Sequence, residues 1–141
     1  LAGRNLVQIG MAEFTNSPQL DDYAQEMGVT VFSGLEVRER GIAAVVDQAL
    51  KIAGDGTDAI YLSVDIDVLD LSQAPGTAAP NPFGLHAHDV QYAMRRIAAS
   101  GKLIGADLVE ISPPFDPRNL TGSVGASLIL SLLYGLSTAK G

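Results

Sequence analysis

Short runs of apolar and β-branched residues alternate with helical patterns four times along this chain. Strands are predicted at 5–10, 29–32, 58–64 and 103–109, and helices at 19–27, 33–53, 88–100 and 120–139. Within the second helical stretch, Ser33 and Glu36 stand at capping-box spacing and Gly41 is a predicted interruption. This alternation is typical of βαβ units, which build a parallel sheet flanked by helices. We therefore expect one α/β domain over residues 1–141, with the apolar last helix packed on two sides.

Composition excludes several classes of function. The chain has 141 residues, 47% of them apolar, and a formal net charge of −7. Because it offers no basic patch to release counterions, we expect neither a nucleic-acid nor a membrane partner. Cysteine is absent, which excludes disulfides, zinc–thiolate sites and thiol catalysis. No segment is expected to reach the length of a membrane span and the first residues form no signal peptide, so a cytoplasmic location is expected.

Acidic residues follow two of the predicted strands, at the point where each strand ends. Asp65 and Asp67 come directly after an apolar run that is predicted to be buried, and Glu110 follows the strand at 103–109. Residues two apart in a strand point to the same face, so Asp65 and Asp67 repel each other unless a cation or a proton lies between them. The carboxyl ends of parallel strands share one edge of the sheet, where ligands usually bind. An all-carboxylate set favours Mg²⁺ or Mn²⁺ over zinc, and the alternative is a solvated strand end that caps the next turn.

Three other polar side chains have plainer explanations than catalysis. His86 and His88 are two residues apart, a spacing at which histidines can chelate a metal. They lie far beyond Asp65 and Asp67 in the sequence, so we expect them at the start of the following helix instead. No histidine is placed to activate Ser63, so we expect a small, buried strand residue there. The loop at 71–85 is rich in proline and glycine and is expected to form a shaped wall beside the site.

Two ordered motifs carry a resemblance to a known family. The stretch 63–70, Ser-Val-Asp-Ile-Asp-Val-Leu-Asp, and the Pro-Gly-Thr at 75–77 resemble the ureohydrolase signature S-x-D-x-D-x-x-D-P-x-x-x-P-G-T. The stretch 107–116 is similar to the family's later D-x-V-E-x-S-P-P-x-D motif. That family holds arginases, agmatinases, guanidinobutyrases and formiminoglutamases, and the Ser-Pro-Pro form resembles agmatinases more than arginases.

The resemblance implies a fold, a cofactor and roles for individual residues. The fold is a three-layer αβα arrangement around a parallel sheet, and two Mn²⁺ ions are bridged by a hydroxide that attacks a guanidinium carbon and releases urea. By the family pattern, Asp65 and Asp67 are metal ligands, Glu110 binds the cationic guanidinium, and Asp70 fixes the loop. An agmatine-like guanidino substrate and self-association as a trimer or hexamer are implied as well.

Part of the family pattern is absent from this chain. The G-G-D-H and D-A-H-x-D motifs, which lie upstream in that family, do not occur here. The chain therefore resembles the carboxyl-terminal half of a ureohydrolase, and we expect no catalysis from these residues alone. Leu71, Asn81 and Phe83 replace the family's usual Pro, Glu and Gly, which leaves the substrate open. Two alternatives remain, a non-catalytic assembly fragment of the same fold and a D-x-D phosphatase, whose motif has Thr or Val where Leu69 stands.

Overall fold

The computed structural model describes residues 1–13 and 17–139, and within those ranges strands and helices follow the predicted order. The strands are β1 (Val7–Met11), β2 (Thr30–Ser33), β3 (Ile60–Asp65) and β4 (Leu103–Val109). The helices are α1 (Pro18–Glu26), α2 (Gly34–Arg40), α3 (Ile42–Ala53), α4 (Ala87–Ala98) and α5 (Leu120–Ser137). Short 3₁₀ turns occupy Gly3–Asn5, Ile66–Val68 and Pro113–Phe115. The predicted alternation of strands and helices is confirmed.

The second helical stretch is divided where the sequence predicts. The Ser33 Oγ accepts a hydrogen bond from the Glu36 backbone N–H at 3.1 Å, which caps the start of α2. Gly41 ends α2 with φ at 80°, a conformation that glycine adopts without the Cβ clash of other residues. The chain then turns into α3, whose Val45, Val46 and Ala49 are buried.

The strands form two parallel pairs. β1 pairs with β2 from Val7↔Thr30 onward, and β3 pairs with β4 from Ile60↔Leu103 to Asp65↔Val109. Parallel pairing is as predicted, but a single continuous sheet is not formed by the residues that the structure describes. The two pairs are instead separated by a groove, which is lined by Val7 and Ile9 of β1 and by Ile60 and Leu62 of β3.

β1 and β3 nevertheless run in the same direction. Just before β1, the Asn5 side chain donates hydrogen bonds to the carbonyls of Ile52 and Asp55, in the segment that leads into β3. At the other end of β1, a Cβ placed on Gly10 would lie 2.5 Å from Cγ2 of Val68, just after β3. The carboxyl ends of both strand pairs therefore lie at the same side of the domain.

A single apolar cluster holds the helices against one face of the strands. It joins Leu62 and Val64 of β3 to buried side chains from α3, α4 and α5, namely Val45, Ala49, Val90, Met94, Ala98, Leu128 and Leu132. Successive strand residues point to opposite faces, so Tyr61, Ser63 and Asp65 lie on the other face, where they are exposed. The prediction of a buried Ser63 is wrong, because helices cover only one face of β3 among the described residues.

The last helix, α5, also packs on one side only within the described chain. Its buried positions, Thr121, Gly125, Leu128, Leu132 and Gly135, follow helical spacing and lie mainly against α4. The prediction of two-sided packing is wrong here, since Leu130, Leu133 and Tyr134 are more than half exposed. By length and composition α5 could also cross a membrane, contrary to the expectation that no segment reaches that length. Its buried stripe is, however, continuous with the apolar cluster.

Candidate metal and substrate site

The two predicted metal ligands lie at the end of β3, where the strand becomes a 3₁₀ turn. Asp65 is the last strand residue, and Asp67 lies within the turn Ile66–Val68. The Asp65 Oδ1 accepts a hydrogen bond from the Asp67 backbone N–H at 2.9 Å. The two residues are therefore held together by a turn, whereas the sequence argument placed both of them in one strand.

The Asp67 carboxyl group is in an environment that disfavours its negative charge. Burial raises its pKa above the ordinary value, and the charges of Asp65 and Glu110 raise it further. The Thr77 hydroxyl lies near Asp67 without reaching hydrogen-bond geometry, and its proximity acts against the rise in pKa. The influence of Glu110 places all three predicted site carboxylates in one region of negative charge.

The environment of the Asp67 Oδ1 indicates whether a cation fits this region. This oxygen is buried and has no hydrogen-bond partner within the described part of the chain. A buried carboxylate oxygen without a partner is costly, and a hard divalent cation removes that cost by direct coordination. Asp65 and Asp67 thus fit a share of a Mn²⁺ site, since both offer carboxylate oxygens at the same strand end.

Glu110 follows β4 in a strained conformation. Its φ is 67°, in the left-handed region, which costs a residue with a Cβ roughly 1–2 kcal/mol. The register partners Asp65 and Val109 bring Glu110 next to the acidic end of β3. Backbone strain of this kind is concentrated at functional sites, which makes Glu110 a candidate for contact with a ligand.

The described residues do not complete a metal site. No group of three or more acidic, histidine or cysteine side chains comes together there in an arrangement that could hold a metal ion. His86 immediately precedes α4, as predicted, and its ring nitrogen Nδ1 is 3.1 Å from Nε2 of Gln73. Asp70 is bound within its own loop, where it accepts hydrogen bonds from the backbone N–H and the hydroxyl of Ser72. Both side chains have contacts that the loop itself explains.

A buried polar linkage behind the site was not identified from the sequence. The Asp116 carboxylate is 4% exposed and accepts hydrogen bonds from the backbone N–H groups of Thr121 and Gly122, at 3.2 and 2.8 Å. The fully buried Thr121 hydroxyl accepts a hydrogen bond from the Gly76 N–H at 2.7 Å. The Gly76 carbonyl accepts in turn from the Ser112 N–H at 2.9 Å. These bonds tie the loop after β3, which carries Thr77, to the loop after β4 and to the start of α5.

A second polar group lies on the exposed face of the strands. The Asp107 carboxylate accepts hydrogen bonds from the Ser63 hydroxyl at 2.6 Å and the Tyr61 hydroxyl at 2.9 Å. These two hydrogen bonds lower the pKa of Asp107. The Ser63 hydroxyl is thus engaged with a carboxylate, which is consistent with the expectation that it is not a nucleophile.

Comparisons with known proteins agree with the motifs. The chain matches the model of the Arginase family over residues 1–135. A formimidoylglutamase from Bacillus subtilis (strain 168) is 35% identical over 136 residues, which are 96% of this chain and 43% of that protein. A guanidinopropionase from Pseudomonas aeruginosa is 39% identical over 127 residues, which are 90% of this chain and 39% of that protein.

A solved structure extends the agreement to the fold. The crystal structure of formimidoylglutamase from Bacillus subtilis superposes with a TM-score of 0.95 at 34% identity, over 99% of this chain and 43% of that one. The prediction of a partial, arginase-like three-layer αβα fold is therefore confirmed. The chain spans less than half the length of the relatives described here.

Proposed function

The chain belongs to the arginase family, and from that premise we propose that it supplies part of the active site of a manganese-dependent amidinohydrolase. The reaction is hydrolysis of a guanidino compound to urea and an amine. The observation that supports this most is the buried Oδ1 of Asp67, which has no hydrogen-bond partner among the described residues and lies in a region of negative charge shared with Asp65 and Glu110.

Each of the three carboxylates has a distinct role in this proposal. Asp65 and Asp67 hold Mn²⁺ through their carboxylate oxygens. When bound, Mn²⁺ supplies a water of lowered pKa and polarises the carbon–nitrogen bond that is to be cleaved. Glu110 accepts hydrogen bonds from the cationic guanidinium group, and these charge-assisted bonds orient the substrate carbon toward the metal.

The remaining ligands come from outside these 141 residues. Two carboxylates are too few for two Mn²⁺ ions, and the chain covers 43% of the formimidoylglutamase that it matches. We take the chain to be the carboxyl-terminal part of a ureohydrolase domain, completed by the rest of a longer polypeptide. Activity is therefore expected of the complete polypeptide and not of this part alone.

Two kinds of amidine substrate, guanidino and formimidoyl compounds, are consistent with the motifs and with the names of similar proteins. Sequence motifs favour an agmatine-like compound, whereas similar proteins are named for formimidoylglutamate and guanidinopropionate. Formimidoyl and guanidino groups share an amidine carbon, so one set of carboxylates can serve either. Hydrolysis of a guanidino compound releases urea, and hydrolysis of a formimidoyl compound releases formamide. Assays of agmatine, guanidinopropionate and formimidoylglutamate for these two products assign the class.

A charge-matched pair of variants tests the metal role. In the complete polypeptide, Asp67→Asn is expected to remove Mn²⁺ from one site and to lower turnover by orders of magnitude. Asp58→Asn removes the same charge from an exposed position at the opposite end of β3 and is expected to leave both unchanged. Metal content is measured by mass spectrometry after desalting. Full activity in the Asp67→Asn variant would remove Asp67 from the site.

Glu110→Gln separates substrate binding from metal binding. Loss of hydrogen bonds to a charged partner costs about 1.5–3 kcal/mol, so kcat/KM is expected to fall roughly 10- to 150-fold. The Mn²⁺ content is expected to stay at the parent level. Loss of metal in this variant would make Glu110 a ligand and contradict the assigned role.

The two alternative functions give different results in the same assays. A non-catalytic assembly fragment binds no Mn²⁺ stoichiometrically and releases neither product from any amidine. The phosphatase alternative predicts phosphate release from a phosphomonoester, and the match to the arginase family gives it no support.

We further propose that the complete protein self-associates as a trimer or hexamer. The exposed apolar side chains of α5 favour self-association. A mass measurement in solution tests this proposal.

A further inference from the structure

Thr77, in the loop after β3, carries a buried hydroxyl group that its packing does not explain. The residue is 4% exposed, and its Oγ1 has no hydrogen-bond partner within the described part of the chain. Burial of a hydroxyl without a partner costs free energy, and valine has nearly the same shape without that cost. Since valine could supply the same apolar contacts, the hydroxyl itself calls for a role.

The group that can use this hydroxyl is the carboxylate of Asp67. The Thr77 hydroxyl lies near that carboxylate, and the Asp67 Oδ1 is also buried without a hydrogen-bond partner among the described residues. An ionised carboxylate only accepts hydrogen bonds, and a threonine hydroxyl can donate one. The two residues are therefore a donor and an acceptor that are buried near each other, and one hydrogen bond satisfies both.

The backbone next to Thr77 is held from two sides. The Gly76 N–H donates to the buried Thr121 hydroxyl at 2.7 Å, and the Gly76 carbonyl accepts from the Ser112 N–H at 2.9 Å. A Cβ placed on Gly76 would lie 2.4 Å from Cβ of Asp116, so the loop is also packed closely against the start of α5. A side chain that orients a ligand needs such rigid support, and these contacts supply it to Thr77 through the adjacent peptide bond.

We propose that Thr77 is a positioning residue for Asp67, and that its hydroxyl donates a hydrogen bond that orients the Asp67 carboxylate toward a bound Mn²⁺. Each carboxylate oxygen has two lone pairs, so the same oxygen can accept from Thr77 and coordinate a cation. Hydrogen bonds of this kind hold ligating carboxylates in their binding orientation and raise the affinity of the site. The inference rests on the proposed function, and it adds the residue that fixes one of the two ligands.

Titration of the complete polypeptide with MnCl₂, without substrate, tests this role, and free Mn²⁺ is followed by electron paramagnetic resonance. Thr77→Val removes the hydroxyl and is expected to raise the Mn²⁺ dissociation constant about 10- to 100-fold. Thr77→Ser keeps the hydroxyl and is expected to stay within about threefold of the parent, because the hydrogen bond to the ligand is retained. The matched control is Thr57→Val, which removes a hydroxyl that donates to the Ala53 carbonyl at 2.7 Å near the opposite end of β3, and it should leave the dissociation constant unchanged.

Thermal melting of the metal-free protein separates a positioning role from a structural one. Thr77→Val removes a hydroxyl that has no partner in the described structure, so the metal-free variant is expected to melt at the temperature of the parent or above it. Added Mn²⁺ should raise the melting temperature of this variant less than that of the parent, because its affinity is lower. A metal-free Thr77→Val protein that melts well below the parent would show that the hydroxyl supports the fold, which overturns the inference.

Comparison with Asp67→Asn distinguishes failure of this inference from failure of the proposed function. If Asp67→Asn loses Mn²⁺ while Thr77→Val binds it as tightly as the parent, the proposed function stands and the positioning role of Thr77 is wrong. The role is equally wrong if Thr77→Ser binds Mn²⁺ as weakly as Thr77→Val, because the retained hydroxyl then has no effect. A parent protein that binds no Mn²⁺ overturns the proposed function and the role of Thr77 with it.

Discussion

Replacement of Asp116 by alanine tests whether the buried linkage behind the site is a main determinant of stability. The carboxylate accepts from two backbone N–H groups in the first turn of α5, at 3.2 and 2.8 Å. Each hydrogen bond to a charged group contributes about 1.5 kcal/mol or more, so Asp116→Ala is expected to cost about 3 kcal/mol. Typical total stabilities are about 5–15 kcal/mol, so the loss is a large fraction of the whole.

Urea unfolding of the complete polypeptide, followed by circular dichroism, measures this cost. With slopes of about 1–3 kcal/mol per molar urea, the midpoint is expected to fall by about 1–3 M. The matched control is Asn119→Gly, at the residue that immediately precedes α5. Asn119 makes no capping side-chain hydrogen bond and has φ at 53°, which glycine adopts freely, so a change within about 0.5 kcal/mol is expected. Equal losses in the two variants, or no loss in Asp116→Ala, would refute the argument.

Three further predictions concern the same region. Burial raises the pKa of Asp67, so the metal-free folded protein binds a proton at this carboxyl group more tightly than the unfolded chain does. Metal-free Asp67→Asn should therefore melt at a higher temperature than the metal-free parent at pH 7. This difference in melting temperature should vanish as the pH falls below 3.8. Ser63→Ala should raise the pKa of Asp107 toward its ordinary value, which carboxyl-carbon NMR titration measures, and an unchanged pKa would contradict the hydrogen bond. Gly76→Ala places a Cβ 2.4 Å from Cβ of Asp116 and should cost about 1–3 kcal/mol in urea unfolding, and a neutral effect would show that the loop can move aside.

Local patterns in the sequence are sufficient to predict the elements and the position of the acidic residues. Helical spacing and the Ser33–Glu36 cap depend on residues within a few positions of one another, and the structure has both. The acids at 65, 67 and 110 follow strands whose apolar runs are continuous, so their place at the strand ends could be predicted. The role of Asp116 could not be predicted in this way, because its linkage depends on a contact between Gly76 and Thr121, which are 45 residues apart in sequence and meet only in the folded chain.

The exposure of side chains on β3 and α5 could not be predicted either, because it depends on which other elements cover each face. The apolar run of β3 resembles a strand buried on both faces, yet helices cover only the face of Leu62 and Val64 among the described residues. The apolar composition of α5 resembles a helix packed on two sides, yet Leu130 is 67% exposed. In both cases the sequence has the composition of a fully buried element, and composition alone does not specify which surface covers the second face.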